Sequence, residues 1–213
     1  MRINAKKTVL IFLLLSLLLR ILILFFDNRV WWDAAVYIGM AKVFVTGTGL
    51  WEAVRPPFWP LLLAGGLLLR TDIALYGHLL QFAFVIGTLL LVYLIARRLT
   101  KNNFIALSSI LLLSCSTFYL FWSARLYTSI PATFFLLSSL YLLQQKHFVM
   151  AGLSATFAVL TRYPIIIFVL AFELFLLQKL LRKEWKPVVL YTIPLVIGAL
   201  GTLAFNYSMY GNA

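Results

Sequence analysis

The sequence predicts an all-α protein, a polytopic bundle of helices that cross a membrane. Of its 213 residues, 63% are hydrophobic and only 11% are charged, whereas about 25% of the residues of an ordinary soluble domain are charged. Such a chain has too few polar residues to cover a water-exposed surface and too many apolar ones to stay disordered. The apolar residues form continuous runs without period-two alternation, which favours helices over barrel strands.

Seven apolar runs are candidates for membrane-spanning helices. A helix needs roughly 20 apolar residues to cross about 30 Å of hydrocarbon, and snorkelling ends allow somewhat fewer. The predicted spans are 8–26, 73–96, 104–122, 128–143, 148–161, 164–178 and 188–205. No small-residue cleavage site follows the first run, so we expect it to be retained rather than removed as a signal peptide.

The basic residues predict the orientation of the bundle in a cell membrane. With a cytoplasmic N-terminus, the inner segments are 1–7, 97–103, 144–147 and 179–187, and these short pieces hold eleven lysines and arginines. The first outer loop, 27–72, has four basic and four acidic residues, which cancel. The net charge of +12 therefore indicates topology. No basic stripe alternates with aromatic residues on a soluble face, so we expect no nucleic-acid partner.

The first outer loop carries the residues most suited to chemistry. Residues 34–45 predict an amphipathic helix that ends at Gly47 and Gly49. The apolar run 58–69 is too short to span a membrane and predicts an interfacial or re-entrant helix. Asp33 is either the N-cap of the first of these helices or a functional carboxylate, and the two roles are compatible. Tyr37 follows four residues later and shares a helical face with Asp33.

Several stretches resemble one family of membrane enzymes. In chain order they are the outer loop with Asp33 and Tyr37, Arg-Pro-Pro-Phe-Trp-Pro at 55–60, Leu-Ile-Ala-Arg-Arg-Leu at 94–99, Ser-Ala-Arg-Leu-Tyr-Thr-Ser-Ile-Pro-Ala at 123–132, and Leu-Thr-Arg-Tyr-Pro at 160–164. Together they are similar to the GT-C glycosyltransferases that use polyprenyl-phosphate sugars, such as protein O-mannosyltransferases and aminoarabinose transferases. The resemblance covers essentially the whole chain as a single membrane domain, 1–213, and corresponds to the front half of such enzymes.

The resemblance implies a reaction and one catalytic residue. Such enzymes transfer a sugar, mannose-like or other, from a polyprenyl-phosphate donor to a lipid, glycan or protein acceptor on the extracytoplasmic side. The outward acidic residue of their first loop acts on the acceptor, and that role transfers to Asp33. A polyprenyl phosphate is already a good leaving group, so positioning and one carboxylate meet the chemical need.

Because the donor phosphate is an anion, we expect cationic side chains at the outer face to bind it. The predicted topology places Arg55, Arg125 and Arg162 there, although each could instead snorkel from a helix end. Glu52 is a candidate second acid or a counter-charge for Arg55. The nearby aromatic hydroxyls are expected to support the site: Tyr37, Tyr127 and Tyr163.

Some features favour other interpretations. Many relatives have Glu where Ala34 stands, His where Arg55 stands and Asp where Ser129 stands. A non-catalytic or truncated protein that binds lipid-linked sugars is therefore the alternative. A transporter is a third interpretation, because such proteins have facing charges inside their membrane spans. Arg20 and Glu173 do lie inside predicted spans, but at different depths, so we do not expect them to pair.

The sequence also bears on cofactors. No nucleotide-binding signature occurs, and no His–carboxylate spacing predicts a metal site. Whether Asp33 and Glu52 bind a divalent cation stays open, because the distance between the two carboxylates cannot be derived from the sequence.

Overall fold

The chain is described by a computed structural model over residues 5–27, 29–178 and 183–210, and within these ranges it consists of helices and connecting turns. The predicted all-α membrane bundle is confirmed. The α-helices are α1 Ala5–Phe26, α2 Trp32–Thr46, α3 Phe58–Leu68, α4 Ile73–Thr100, α5 Asn103–Cys115, α6 Thr117–Ser123, α7 Ser129–Gln144, α8 Phe148–Thr161, α9 Ile166–Leu177 and α10 Trp185–Tyr210. The predicted inner segments 1–7 and 179–187 lie partly outside the described residues, as do the last residues of the chain.

Each of the seven predicted spans coincides with a helix or a helix pair, but they differ in length. Among the described residues, α1, α4 and α10 are long and apolar enough to cross a membrane, and α5 with α6 makes a fourth candidate. Helices α7, α8 and α9 have 16, 14 and 12 residues, which is shorter than a typical span. Membrane crossing by these three helices stays a prediction.

The third predicted span, 104–122, is wrong as one continuous helix. The chain bends by 64° between α5 and α6, and Ser116 at the break has an extended backbone with φ −62° and ψ 125°. The break lies in a cluster of serine and threonine residues, whose side chains compete with helical backbone hydrogen bonds. After the bend, α6 contacts α4, and Tyr119 donates a hydrogen bond to the Val85 carbonyl of that helix.

Arg20 of α1 is the most deeply buried charge in the described chain. Its side chain is fully inaccessible, and its Nε donates to Ser123 Oγ of α6 at 2.8 Å. Its Nη1 donates to the Ser16 carbonyl at 2.8 Å, and its guanidinium lies 5.1 Å from the centre of the Tyr119 ring. These contacts give Arg20 a structural hydrogen-bonding role, and they join α1 to the bent α6. Glu173 is not its partner, because it accepts a hydrogen bond from Thr192 instead.

Three apolar clusters hold the bundle together. The first joins α2 to α3 and contains the fully buried Trp59. The second lies around α4 and includes side chains of α1, α5, α6 and α7. The third joins α8, α9 and α10 around Tyr191, with partly buried side chains of α7 against it. Helix α4 packs against α7, α7 against α8, and α8 against α10, so these four helices form a continuous series.

The contact between α8 and α10 depends on a glycine. A Cβ atom added at Gly152 of α8 would lie 2.2 Å from the carbonyl oxygen of Tyr191 in α10. That oxygen belongs to helix backbone, so it cannot move aside as a flexible side chain would. Gly152 therefore sets how closely the two helices approach.

We predict that Gly152→Ala destabilises the protein. Over-packing a tight contact costs about 1–3 kcal/mol, so the midpoint of thermal unfolding in detergent should fall by several degrees. Gly201→Ala is the matched control, because no atom lies within 4 Å of a Cβ at that position and alanine favours the helix. Equal midpoints for the two variants would contradict the proposed contact.

Candidate active site

A polar cavity of about 720 Å³ lies at one end of the bundle, where four separate parts of the chain meet. These parts are the start of α2, the loop between α2 and α3, the turn between α6 and α7, and the turn between α8 and α9. The cavity is lined by seven of the eight residues expected at the site: Asp33, Tyr37, Glu52, Arg55, Tyr127, Arg162 and Tyr163. Arg125 is not among its lining residues.

Asp33 reaches the cavity from the first turn of α2. The helix begins at Trp32, so the N-cap position falls on Trp31. The expectation that Asp33 caps this helix is therefore wrong. Its carboxylate instead accepts a hydrogen bond from Arg55 at 2.8 Å. A negative charge in the first turn is also stabilised by the helix dipole.

Helix α2 is held in place by its buried face. Tyr37, Met40 and Ala41 belong to the apolar cluster that α2 shares with α3. The helix ends, as expected, at Gly47, which has a left-handed backbone with φ 69°. Gly49 then adopts φ 143° next to Gly39, where a side chain would be crowded. These two glycines turn the chain back, so that Glu52 and Arg55 return to the start of α2.

Arg55 is clamped between two carboxylates. Its Nη2 donates to Asp33 at 2.8 Å, and its Nε donates to Glu52 at 2.6 Å. Its guanidinium also lies 5.2 Å from the centre of the Tyr37 ring. Burial lowers the pKa of Arg55, but hydrogen bonds to Glu52, Tyr37 and Asp33 outweigh burial and raise it. Arg55 thus stays charged and fixes the directions of both acids.

Arg162 is the cavity cation that has no acidic partner among the described residues. It follows α8 directly, and its exposed guanidinium donates to the hydroxyl of Ser129 at the start of α7. Ser129 therefore presents a neutral hydroxyl, and not a carboxylate, to this cation. Its positive charge is therefore available to an anionic ligand.

Tyr127 lies close to the catalytic candidate. Burial raises the pKa of the Tyr127 hydroxyl, and the neighbouring Asp33 carboxylate raises it further. The hydroxyl therefore stays protonated and can donate a hydrogen bond. Its ring packs edge-on against Trp122, with the ring centres 4.7 Å apart.

Arg125 lies in a different environment from the other two expected phosphate ligands. Its Nη2 donates to Asp27 at 2.6 Å, and its Nη1 donates to the Phe121 carbonyl at 2.8 Å. The guanidinium also packs over the Phe121 and Trp31 rings, at 3.7 Å and 4.6 Å from their centres. With 11% of its side chain exposed, Arg125 fastens the end of α1 to the turn after α6.

Some lining residues were not predicted from the sequence. Trp122 and Thr128 complete the wall beside Tyr127, and Val54, Pro56 and Pro164 complete the rim. Trp122 falls at the end of an apolar run that the sequence predicts as one straight helix. The bend at Ser116 turns it towards the cavity, and no feature of its own residue type signals that orientation.

The acidic residues of the cavity are few. Asp33 and Glu52 both contact Arg55, so a divalent ion would have to displace the guanidinium to be held by both. Within the part of the chain that the structure describes, no group of three or more His, Cys, Asp or Glu side chains could hold a metal ion.

An apolar groove of about 720 Å³ adjoins the polar cavity, because Tyr163 lines both. Helices α8, α9 and α10 form it, and its walls are largely aliphatic. Two of its polar lining residues, Glu173 and Thr192, are hydrogen-bonded to each other, with Thr192 Oγ1 donating to the carboxylate at 2.9 Å.

Comparison with known proteins identifies the family. The model of the dolichyl-phosphate-mannose-protein mannosyltransferase family matches residues 54–204, which include Arg55, Arg125 and Arg162 and begin after Asp33 and Glu52. No curated protein and no solved structure matched the chain. Because the match covers more than half of the sequence, the chain belongs to the dolichyl-phosphate-mannose-protein mannosyltransferase family, a family of membrane glycosyltransferases of the GT-C type.

Proposed function

We propose that this protein transfers a sugar from a polyprenyl-phosphate donor to an acceptor on the extracytoplasmic side of the membrane. The observation that carries the proposal is one cavity with two kinds of charge: Asp33, oriented by Arg55, and Arg162, which has no acidic partner in the described chain. Its volume of about 720 Å³ lies within the range of small-molecule sites. Transfer from a glycosyl phosphate uses both charges, because a carboxylate can orient the acceptor hydroxyl and a cation can bind the donor phosphate.

The proposed reaction is a nucleophilic displacement at the anomeric carbon of the sugar. The acceptor hydroxyl attacks the anomeric carbon of the sugar, and the bond from that carbon to the phosphate oxygen breaks. The polyprenyl phosphate leaves with the bonding electron pair, and the acceptor proton passes to Asp33. A single displacement of this kind inverts the anomeric configuration.

Asp33 acts mainly by orienting the acceptor. The Asp33 carboxylate, held by Arg55 at 2.8 Å, is a strong hydrogen-bond acceptor with a fixed direction, and like any carboxylate it is a weak base. A weak base suffices because the leaving group is good, so the acceptor loses its proton late in the reaction. The Tyr127 hydroxyl remains a donor beside it, which supports a role in holding the acceptor or the sugar.

The two cavity arginines have separate roles in this proposal. Arg162 neutralises the donor phosphate, because its charge has no acidic partner in the described part of the chain. Arg55 holds Asp33 and Glu52, and its charge is already balanced by these two acids. Arg125 supports the site indirectly, through the Asp27 contact that fastens α1.

The lipid part of the donor has a suitable environment. The apolar groove of α8, α9 and α10 begins at Tyr163, where the polar cavity ends. A polyprenyl chain in this groove would leave its phosphate close to Arg162, which precedes Tyr163 in sequence. The acceptor, whether lipid, glycan or protein, would enter from the side of Asp33. We propose that the helices from α1 to α10 act as one domain in this reaction.

The first test replaces Asp33 by asparagine. Asn keeps the shape of Asp and an oxygen for Arg55, but it lacks the negative charge that orients the acceptor hydroxyl and finally takes its proton, so we expect transfer to fall by about 10²–10⁴-fold. The measurement is the transfer of radiolabelled mannose from polyprenyl-phosphate mannose in membranes that contain the full chain. Asp72→Asn is the control, because Asp72 caps α4 outside the cavity and Asn is an equally good cap.

Three outcomes of this test are informative. Full activity of Asp33→Asn would remove this residue from the mechanism. Donor binding without product in the unmodified protein would favour the alternative of a non-catalytic protein that binds lipid-linked sugars. Equal loss of transfer in both variants would mean that the effect is not specific to the cavity.

The second test replaces Arg162 by glutamine. A charge-assisted hydrogen bond contributes about 1.5–3 kcal/mol, so we expect the donor to bind at least tenfold more weakly. The measurement is the concentration of polyprenyl-phosphate mannose that half-saturates transfer. Arg70→Gln removes the same charge from an exposed residue outside the cavity. If Arg70→Gln weakens donor binding as much as Arg162→Gln, Arg162 is not the phosphate ligand.

A further inference from the structure

A second polar cavity lies at the far end of α7 from the candidate active site. Five residues line this basic cavity, which has a volume of about 380 Å³: Leu94, Arg97, Arg98, Lys101 and Tyr141. Ser129, the first residue of α7, lines the active-site cavity, whereas Tyr141 lies 12 positions further along the helix. At 1.5 Å per residue the two are about 18 Å apart along the helix axis, so the two cavities open at opposite ends of the bundle.

The basic cavity contains positive charges without negative ones. Three of its five lining residues are cations and none is acidic. Arg98 donates to the Gln144 carbonyl at the end of α7, at 2.9 Å. In the described ranges, Arg97 and Lys101 show no side-chain hydrogen bond or ion pair. The C-terminus of α4 contributes only about half a negative charge, so the cavity keeps a clear positive excess.

The surroundings of the basic cavity select the kind of anion. Leu94 forms its apolar wall, and Leu99, between the cavity cations in sequence, is 70% exposed. Phe104, three residues after Lys101, is 77% exposed. Exposed leucine and phenylalanine side chains suit acyl chains, whereas Arg97, Lys101 and the Tyr141 hydroxyl suit a phosphate. A ligand that carries both parts is a phospholipid.

We propose that the basic cavity binds the phosphate headgroup of an anionic phospholipid, with its acyl chains along the exposed apolar residues of α4 and α5. The distribution of basic residues predicts that this end of the bundle faces the cytoplasm. The cytoplasmic leaflet is where anionic lipids attract basic groups, and basic pockets between helices on that side bind such headgroups. The site is separate from sugar transfer and does not depend on the proposed reaction.

The experiment measures lipid binding to the purified full chain. The protein is delipidated in detergent and titrated with phosphatidylglycerol, and bound lipid is counted by native mass spectrometry. We expect one phosphatidylglycerol molecule to bind tightly and phosphatidylcholine to bind much more weakly. Each cation removed should weaken binding about fivefold, so Lys101→Gln should raise the Kd about fivefold, and Arg97→Gln with Lys101→Gln roughly 25-fold.

Lys146 provides a matched control. Like Lys101, it is an exposed lysine with a left-handed backbone, with φ 63° against 54°, and it lies two residues after the end of α7, where Lys101 lies one residue after the end of α4. It does not line the basic cavity, so Lys146→Gln should change the Kd by less than twofold. Lys101→Arg should retain binding, because it keeps the charge.

Separate results would overturn the proposal. Equal affinity for phosphatidylcholine would show that headgroup charge is not recognised. Inorganic phosphate that displaces the lipid at equal concentration would identify a free-phosphate site instead. An equal loss of binding in Lys146→Gln and Lys101→Gln would show that total charge, and not the cavity, attracts the lipid.

Discussion

The structure depends on one constraint: a guanidinium that is largely shielded from solvent needs partners from the protein itself. Arg20 meets it with Ser16 and Ser123, Arg125 with Asp27, and Arg55 with Asp33 and Glu52. The contacts of Arg20 with Ser123, Arg125 with Asp27 and Arg55 with Asp33 join parts of the chain that are far apart in sequence. Arg162 differs, because a neutral hydroxyl is its described side-chain partner. The same requirement that stabilises the bundle thus leaves one cation in the cavity ready for a ligand.

The position of the Asp33 carboxylate depends on contacts close to it and on contacts further away. Close to it, Arg55 fixes the Asp33 carboxylate, and the α2–α3 cluster fixes the helix that carries Asp33. Further away, Trp51 packs against Phe205 of α10, and the Tyr210 hydroxyl donates to the Trp51 carbonyl. The first loop is therefore attached to the last helix, and the catalytic candidate and the apolar groove belong to one connected unit.

The apolar runs were sufficient to predict the helices, because a continuous run of aliphatic residues in a membrane has few alternatives to a helix. Seven site residues could also be predicted to lie together, since the expected topology gathers the outer turns at one end. The orientation of Arg125 was not predictable, because Asp27 and Asp33 both lie in the first loop and either could pair with it. The serine and threonine residues around Ser116 favour a break there, but the 64° bend itself depends on tertiary contacts. The helix start at Trp32 likewise has no local cap residue that would predict it.

The short helices have a consequence for the surrounding lipid. Helix α7, with 16 residues, is about 24 Å long, against about 30 Å for a typical hydrocarbon core. A membrane that meets such hydrophobic mismatch thins locally, at a modest energetic cost per ångström. Where α7 and α8 cross the membrane, as the sequence predicts, thinning brings the headgroups of both leaflets inward beside them. The bilayer itself would then shorten the distance over which a lipid-linked substrate must be lifted to reach the cavity.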